Sequence, residues 1–161
     1  MSIADSITDE QLDALRAEYD ADELTAALTQ TLPALYGPSS GYVTAIADAF
    51  YRALPADDAL PPRNVLSARD RERCLIALLT SRPEVTDLAL HVYVGLMEGV
   101  SPTEIANIIF LTAIYTGVDN FARGLLTEQT TLQTLAALVD QGKAIDARSA
   151  VTQVIKAFHG H

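Results

Sequence analysis

The sequence has one cysteine, no tryptophan, two lysines and far fewer basic than acidic residues. A single cysteine, Cys74, excludes an internal disulfide. With 11 basic and 21 acidic side chains, the net charge is −10. Such a surface repels phosphate backbones and anionic lipid headgroups, so we expect neither nucleic-acid binding nor membrane binding.

The chain also lacks a long uncharged apolar segment. The longest one near its middle, residues 105–118, is shorter than the roughly 20 residues that a membrane-spanning helix needs. The acidic N-terminus, residues 1–20, contains no apolar run typical of a secretory signal. These features predict a cytoplasmic protein.

What the sequence does contain is a series of helix signals and a hydrophobic content of 49%, enough for a sizeable core. Thr8 begins a capping-box pattern, and Ser101 precedes a proline and a glutamate as at a helix start. We predict one all-α domain over 1–161, a multi-helix bundle with N-terminal helices over 1–65 and a core over 66–126. The predicted helices cover 8–18, 22–35, 41–54, 68–80, 81–99, 102–117, 119–141 and 147–158, with Ser67 and Asp119 as caps and a proline-rich connection over 55–62.

One acidic side chain interrupts an apolar helix face. On a helical wheel of residues 68–80, Glu72 projects from the middle of the face that Leu75, Ile76 and Leu79 form. A carboxylate on a buried face needs a partner, or its pKa rises until it is neutral. Glu72 is therefore either part of a structural ion pair, with an arginine of a neighbouring helix, or a functional acid.

The next helix is apolar over most of its circumference and carries a narrow polar stripe. The stripe consists of Glu84, Asp87, His91 and Glu98, and it faces solvent or lines a cleft. Asp87 lies one turn before His91 and is placed to orient the imidazole. Spacing over two helical turns suits one metal ion poorly, so we predict no metal and no other cofactor.

Burial between subunits would cover helices that are apolar almost all round, so we expect a homo-oligomer.

Cys74 is expected in the core, because nothing near it in sequence marks a nucleophile. His159 and His161 end the chain in a tail for which a metal role is not favoured.

Three segments in order resemble the carboxymuconolactone decarboxylase / alkyl hydroperoxidase D superfamily. They read LSARDRE at 66–72, GVSPTEI at 99–105 after His91, and TAIYTGV at 112–118. The resemblance covers about 66–126. It implies an all-α fold of the alkyl hydroperoxidase D-like type, assembled as homotrimers or homohexamers, with active sites near subunit contacts.

The resemblance also implies site residues. In the hydroperoxidase branch, a C-x-x-C-x-x-x-H pattern follows a glutamate on the preceding helix. His91 falls on that histidine and Glu72 on that glutamate, but Glu84 and Asp87 fall on the two cysteines. Carboxylates cannot form the disulfide that dithiol peroxide reduction needs, so we expect that activity to be absent. The decarboxylase branch lacks the cysteine pair and has an acid four residues before the histidine, as Asp87 is here.

Three hypotheses follow. The first is a decarboxylase-like lyase or isomerase for a small lactone or carboxylic acid. In it Glu72 donates a proton, His91 shuttles one with Asp87 fixing its tautomer, and Arg82 or Arg123 holds the substrate carboxylate. The second is a non-catalytic oligomeric scaffold. The third is a peroxidase-related (peroxiredoxin-type) protein that uses Cys74 with an external thiol.

Overall fold

A computed structural model of the chain describes residues 3–39, 41, 45 and 66–159. These residues form seven α-helices and two short 3-10 turns and no strand, which confirms the all-α prediction for this part of the chain. Residues 41 and 45 are helical, whereas the rest of predicted helix 41–54 and the connection 55–62 lie outside the described residues. The helices are α1 Asp9–Ala17, α2 Ala21–Tyr36, α3 Ala68–Thr80, α4 Val85–Met97, α5 Pro102–Thr116, α6 Val118–Asp140 and α7 Ala147–His159.

The predicted capping residues begin three of these helices. The Thr8 hydroxyl accepts a hydrogen bond from the Gln11 backbone N–H, and the Gln11 side chain accepts one from the Thr8 N–H. The Ser67 and Ser101 hydroxyls each accept one from the backbone N–H three residues later. These bonds satisfy N–H groups that have no partner inside the helix, so they fix where α1, α3 and α5 start.

Two helix starts differ from the prediction. Helix α6 begins at Val118 behind Gly117, without a side-chain cap, and Asp119 lies inside the first turn. Gly117 has φ 102°, a conformation that favours glycine, so the reversal between α5 and α6 occurs there without a capping side chain. Helix α4 begins at Val85 rather than at Ser81, because Ser81 is the residue that ends α3.

Helix α4 lies at the centre of the described fold. It packs against α1, α3, α6 and α7, and its residues 88–97 are all buried except His91. A Cβ atom at Gly95 would lie 3.1 Å from Ile76 Cδ1 and 3.7 Å from Glu72 Cβ. The glycine therefore allows α3 and α4 to approach closely beside Glu72.

Cys74 is exposed, so the prediction that it belongs to the core is wrong. It lies two positions beyond the buried Glu72, and two residues of α-helix turn a side chain through about 200°. The face of α3 that carries Cys74 is thus turned outward. Within the described residues, no helix is long and apolar enough to cross a membrane.

Candidate active site

A carboxylate and an imidazole meet between the two most closely packed helices. Glu72 Oε2 on α3 lies 2.8 Å from His91 Nδ1 on α4. The Glu72 side chain is fully buried, whereas 22% of the His91 side chain is exposed. The inward direction of Glu72 and its proximity to His91 agree with the sequence analysis; the chemical roles given to them stay predictions.

The second carboxyl oxygen of Glu72 is also occupied. Arg71 Nε donates to Glu72 Oε1 at 3.3 Å, and the Arg71 side chain is 19% exposed. The sequence analysis expected an arginine from a neighbouring helix and missed Arg71, because adjacent residues point about 100° apart on a helical wheel. A helical wheel does not show that a long side chain can fold back along its own helix to contact the adjacent residue.

This arrangement determines which imidazole nitrogen is basic when Glu72 is ionised. An ionised carboxylate only accepts hydrogen bonds, so His91 Nδ1 must then carry the hydrogen. The lone pair of the neutral ring is then on Nε2, the nitrogen that does not face Glu72. The carboxylate that bonds to Nδ1 is thus Glu72, whereas the sequence analysis gave the tautomer-fixing role to Asp87.

Asp87 lies one turn before His91 and has a partner from another helix. The hydroxyl of Tyr36, the last residue of α2, donates a hydrogen bond to Asp87 Oδ1. Burial raises the pKa of Asp87, and the nearby His91 and His159 partly offset that rise. His159 reaches this region because its Nε2 lies 2.8 Å from the Thr86 hydroxyl. Asp87 is therefore a half-buried carboxylate beside His91.

Removal of the Tyr36 hydroxyl is expected to destabilise the protein. Tyr36→Phe leaves a half-buried Asp87 oxygen without this donor, which costs about 1–2 kcal/mol. Thermal unfolding followed by circular dichroism measures the loss. Thr103→Val is the control, because it removes a hydroxyl at an exposed position of α5, and it should leave the melting temperature unchanged. Equal melting temperatures for both variants and the wild type would show that the Tyr36–Asp87 bond contributes nothing.

The connection between α1 and α2 lies close to the site through Tyr19. The Tyr19 hydroxyl donates to Glu98 Oε1 at 3.4 Å, and the Tyr19 ring packs edge-on against Tyr93 with ring centroids 6.2 Å apart. Burial raises the pKa of Tyr19 strongly, and the carboxylates of Glu98 and Glu72 add to that rise. Tyr19 is accordingly a protonated phenol near Glu72, and sequence analysis gave no signal for it.

The two arginines predicted to bind substrate meet each other at the end of α3 remote from this site. Arg123 Nη2 donates to the backbone oxygen of Arg82 at 3.0 Å. Helix α3 ends at Thr80, about 12 Å along its axis from Glu72, and Arg82 follows. Their role in holding a carboxylate stays a prediction, and the guanidinium that contacts Glu72 is that of Arg71.

Glu84 is exposed and occupies the cap position of α4, without a side-chain capping bond. It lies seven residues before His91, about 10 Å along the helix axis. Glu84 therefore lies at the end of α4 away from the Glu72–His91 contact.

Comparison with known proteins shows to which family the chain belongs. The sequence model of the carboxymuconolactone decarboxylase family matches residues 47–128. The chain belongs to this family. The match confirms the resemblance seen over 66–126 and extends it to residue 47, while no curated protein and no solved structure matches the chain. Glu72, Asp87 and His91 all lie within the family region.

Proposed function

We propose that this carboxymuconolactone decarboxylase family member is an acid–base enzyme, a carboxy-lyase or isomerase for a small lactone or carboxylic acid. The observation that carries the proposal is the 2.8 Å contact between Glu72 and His91, with one partner fully buried and the other reaching the surface. A carboxylate that fixes an imidazole is a recurring arrangement for proton transfer.

The difference in exposure supports separate roles for the two groups. A substrate arriving from solvent can touch His91, whereas Glu72 has no exposed surface. His91 is therefore the proposed proton carrier, and Glu72 is a positioning residue that acts through it. When His91 takes up a proton, the charge of Glu72 stabilises the resulting imidazolium. Asp87, one turn away, adds a second carboxylate to the same surroundings.

The proposed decarboxylation consists of a bond cleavage followed by a protonation. The bond between the carboxylate carbon and the substrate skeleton breaks, carbon dioxide leaves, and the bonding electrons pass into the lactone or its conjugated carbonyl. The imidazolium of His91, which has taken its proton from solvent, then protonates that carbon, which leaves a neutral imidazole and a product with one carboxylate fewer. Among the described residues, Arg71 contacts Glu72 and is 19% exposed, so it is the proposed partner of a substrate carboxylate, with Arg82 or Arg123 as the alternatives from the sequence.

Glu72→Gln tests the proposal. Wild-type protein is expected to release carbon dioxide from carboxymuconolactone or a related small lactone acid. The variant should lose roughly 100-fold in kcat with little change in KM, because it keeps the side-chain shape but loses the charge that stabilises the imidazolium. Glu72→Asp should recover part of the rate, and Glu18→Gln, an exposed carboxylate on the surface, should behave as wild type.

Other outcomes would favour the competing hypotheses. A purely structural Glu72 would lower the melting temperature of Glu72→Gln without a selective loss of kcat. Wild-type protein inactive on every lactone acid would contradict the proposal and favour the scaffold. Because Cys74 is exposed, thiol-dependent peroxide consumption that Cys74→Ser abolishes would favour the redox hypothesis instead.

A further inference from the structure

The C-terminal helix brings a second histidine to the side of the candidate site. Sequence analysis placed His159 in a tail, whereas in the structure it is the last residue of α7. Its Nε2 lies 2.8 Å from the hydroxyl of Thr86, the residue that precedes Asp87 on α4. Helix α7 packs against both α2 and α4, so this histidine lies where three helices meet.

Two helix ends of opposite polarity come together at this point. Asp87 lies in the first turn of α4, where the helix dipole favours a negative charge. His159 lies in the last turn of α7, where the dipole favours a positive charge. An imidazole that donates from Nε2 to a hydroxyl can still take up a proton on Nδ1, so the contact with Thr86 is compatible with a charged ring.

The carboxyl group of Asp87 is surrounded by groups from three helices. The Tyr36 hydroxyl at the end of α2 donates a hydrogen bond to it. His91 lies one turn further along α4, and His159 approaches from α7. Burial raises the pKa of Asp87, and the charges of His91 and His159 act in the opposite direction. The ionised form of this half-buried carboxyl therefore depends on its two imidazole neighbours.

Other charged groups on these helices are less well placed to act on this carboxyl. Glu84 lies one turn before Asp87, and Lys156 lies one turn before His159; both side chains are exposed and make no hydrogen bond with the described residues. The imidazole of His159 is instead held by Thr86, next to Asp87 in the chain. Among the described residues, His159 is therefore the charged group from another helix that acts on Asp87.

We propose that His159 is a positioning residue of the site, and that its positive charge keeps the Asp87 carboxyl ionised beside His91. Thr86 and His91 are five residues apart, about 7.5 Å along the axis of α4 and 140° around it, so His159 approaches from a side that His91 does not occupy. An ionised Asp87 favours the positive charge that His91 carries during the proposed proton transfer. Helix α7 lies outside residues 47–128, which match the family. The consequence for catalysis rests on the function proposed above, whereas the effect of His159 on Asp87 does not.

The direct test is a titration of the Asp87 carboxyl carbon by NMR from about pH 3 to 8, with the signal assigned by its loss in Asp87→Asn. His159→Gln keeps a side chain that can bond to the Thr86 hydroxyl but lacks the charge. The midpoint of the Asp87 titration should therefore move to higher pH in this variant. His159→Lys restores a positive charge and should bring the midpoint back toward the wild-type value.

Lys156→Gln is the matched control, because it removes an exposed positive charge from the same helix. It should leave the Asp87 titration as it is in the wild type. His159 is exposed as well, so its variants should keep the wild-type melting temperature. An Asp87 midpoint that is unchanged or lower in His159→Gln would overturn the proposal, whatever reaction the protein catalyses. A midpoint that rises equally in His159→Lys would also overturn it, because the charge would then have no role.

Kinetics provide the second measurement. On a lactone acid that the wild type consumes, kcat of His159→Gln should equal the wild-type value at about pH 8. It should fall below the wild-type value toward about pH 5, by up to tenfold for each pH unit that the Asp87 titration moves. A loss of kcat that is the same at every pH would indicate a structural His159 and overturn the proposal. A shifted Asp87 titration in a protein without turnover would support the effect of His159 on Asp87 and contradict the proposed function alone.

Discussion

Glu128→Gln is expected to stabilise the protein increasingly as the pH rises from 5 to 8. Glu128 lies on α6, is fully buried, and neither of its carboxyl oxygens has a hydrogen-bond partner among the residues that the structure describes. Burial alone raises the pKa of Glu128 from 4.5 to about 8. The folded protein therefore holds a neutral acid at this position over most of the neutral range.

The sign of the effect follows from where each state loses its proton. Unfolded chains release the Glu128 proton near pH 4.5, whereas the folded protein keeps it until about pH 8. Between these values the unfolded state gains free energy of ionisation that the folded state does not. The stabilising contribution of the bound proton is fully present below pH 4.5 and is lost as the pH rises through 8, by about 1.4 kcal/mol per unit.

Glutamine has the same shape and does not titrate, so it removes this dependence. The difference in unfolding free energy between Glu128→Gln and wild type should be small at pH 5 and reach about 4 kcal/mol near pH 8. Urea unfolding at a series of pH values measures it. Glu18→Gln, at an exposed carboxylate, should follow the wild-type profile. A constant difference between Glu128→Gln and wild type across the series would mean that Glu128 is ionised in the folded protein.

His91→Ala is expected to have the largest effect on turnover. General acid–base catalysis by a positioned side chain contributes about 100- to 10,000-fold, and the proposal assigns that whole contribution to this imidazole. The side chain is 22% exposed, so free imidazole from solvent can occupy the space left by the substitution. Steady-state kinetics on the lactone acid that the wild type consumes should show the loss and a partial recovery on adding imidazole.

The recovery separates a catalytic His91 from a structural one. If His91 only satisfied Glu72, imidazole would raise the melting temperature of the variant without restoring its rate. Gln133→Ala, at an exposed position of α6, should keep the wild-type rate with or without imidazole. A His91→Ala variant with undiminished turnover would remove acid–base chemistry from this site.

Sequence patterns predicted the helices well and the site in part. Glu72 was detectable because it breaks an otherwise apolar face, and His91 because it lies in a polar stripe on an apolar helix. Glu128 was not detectable, because Thr127 and Thr131 lie beside it and that side of α6 has the pattern of a polar face. Both threonine hydroxyls donate to carbonyl oxygens of their own helix, four residues back, which allows them to be buried.

The sequence also could not predict contacts between residues that are far apart in the chain. Tyr36 meets Asp87 across 51 residues and Tyr19 meets Glu98 across 79, so only the packing of α1 and α2 on the core brings them together. The exposed position of Cys74 depends likewise on which side of α3 is covered. Tertiary packing decides which side of a helix is covered, and the hydrophobic period of a single helix does not predict it.

At position 95, two requirements conflict. The helical preference of α4 favours a residue other than glycine, whereas the close approach of the helices that carry Glu72 and His91 favours glycine. Alanine there would favour the helical state of α4 by roughly 1 kcal/mol, yet its methyl group would press on Ile76 and lie over Glu72. Whether this gain is realised depends on whether the end of the Ile76 side chain can move aside by a few tenths of an ångström. Replacing helical glycines, a common route to heat resistance, would here act directly on the contact between the two helices that carry Glu72 and His91.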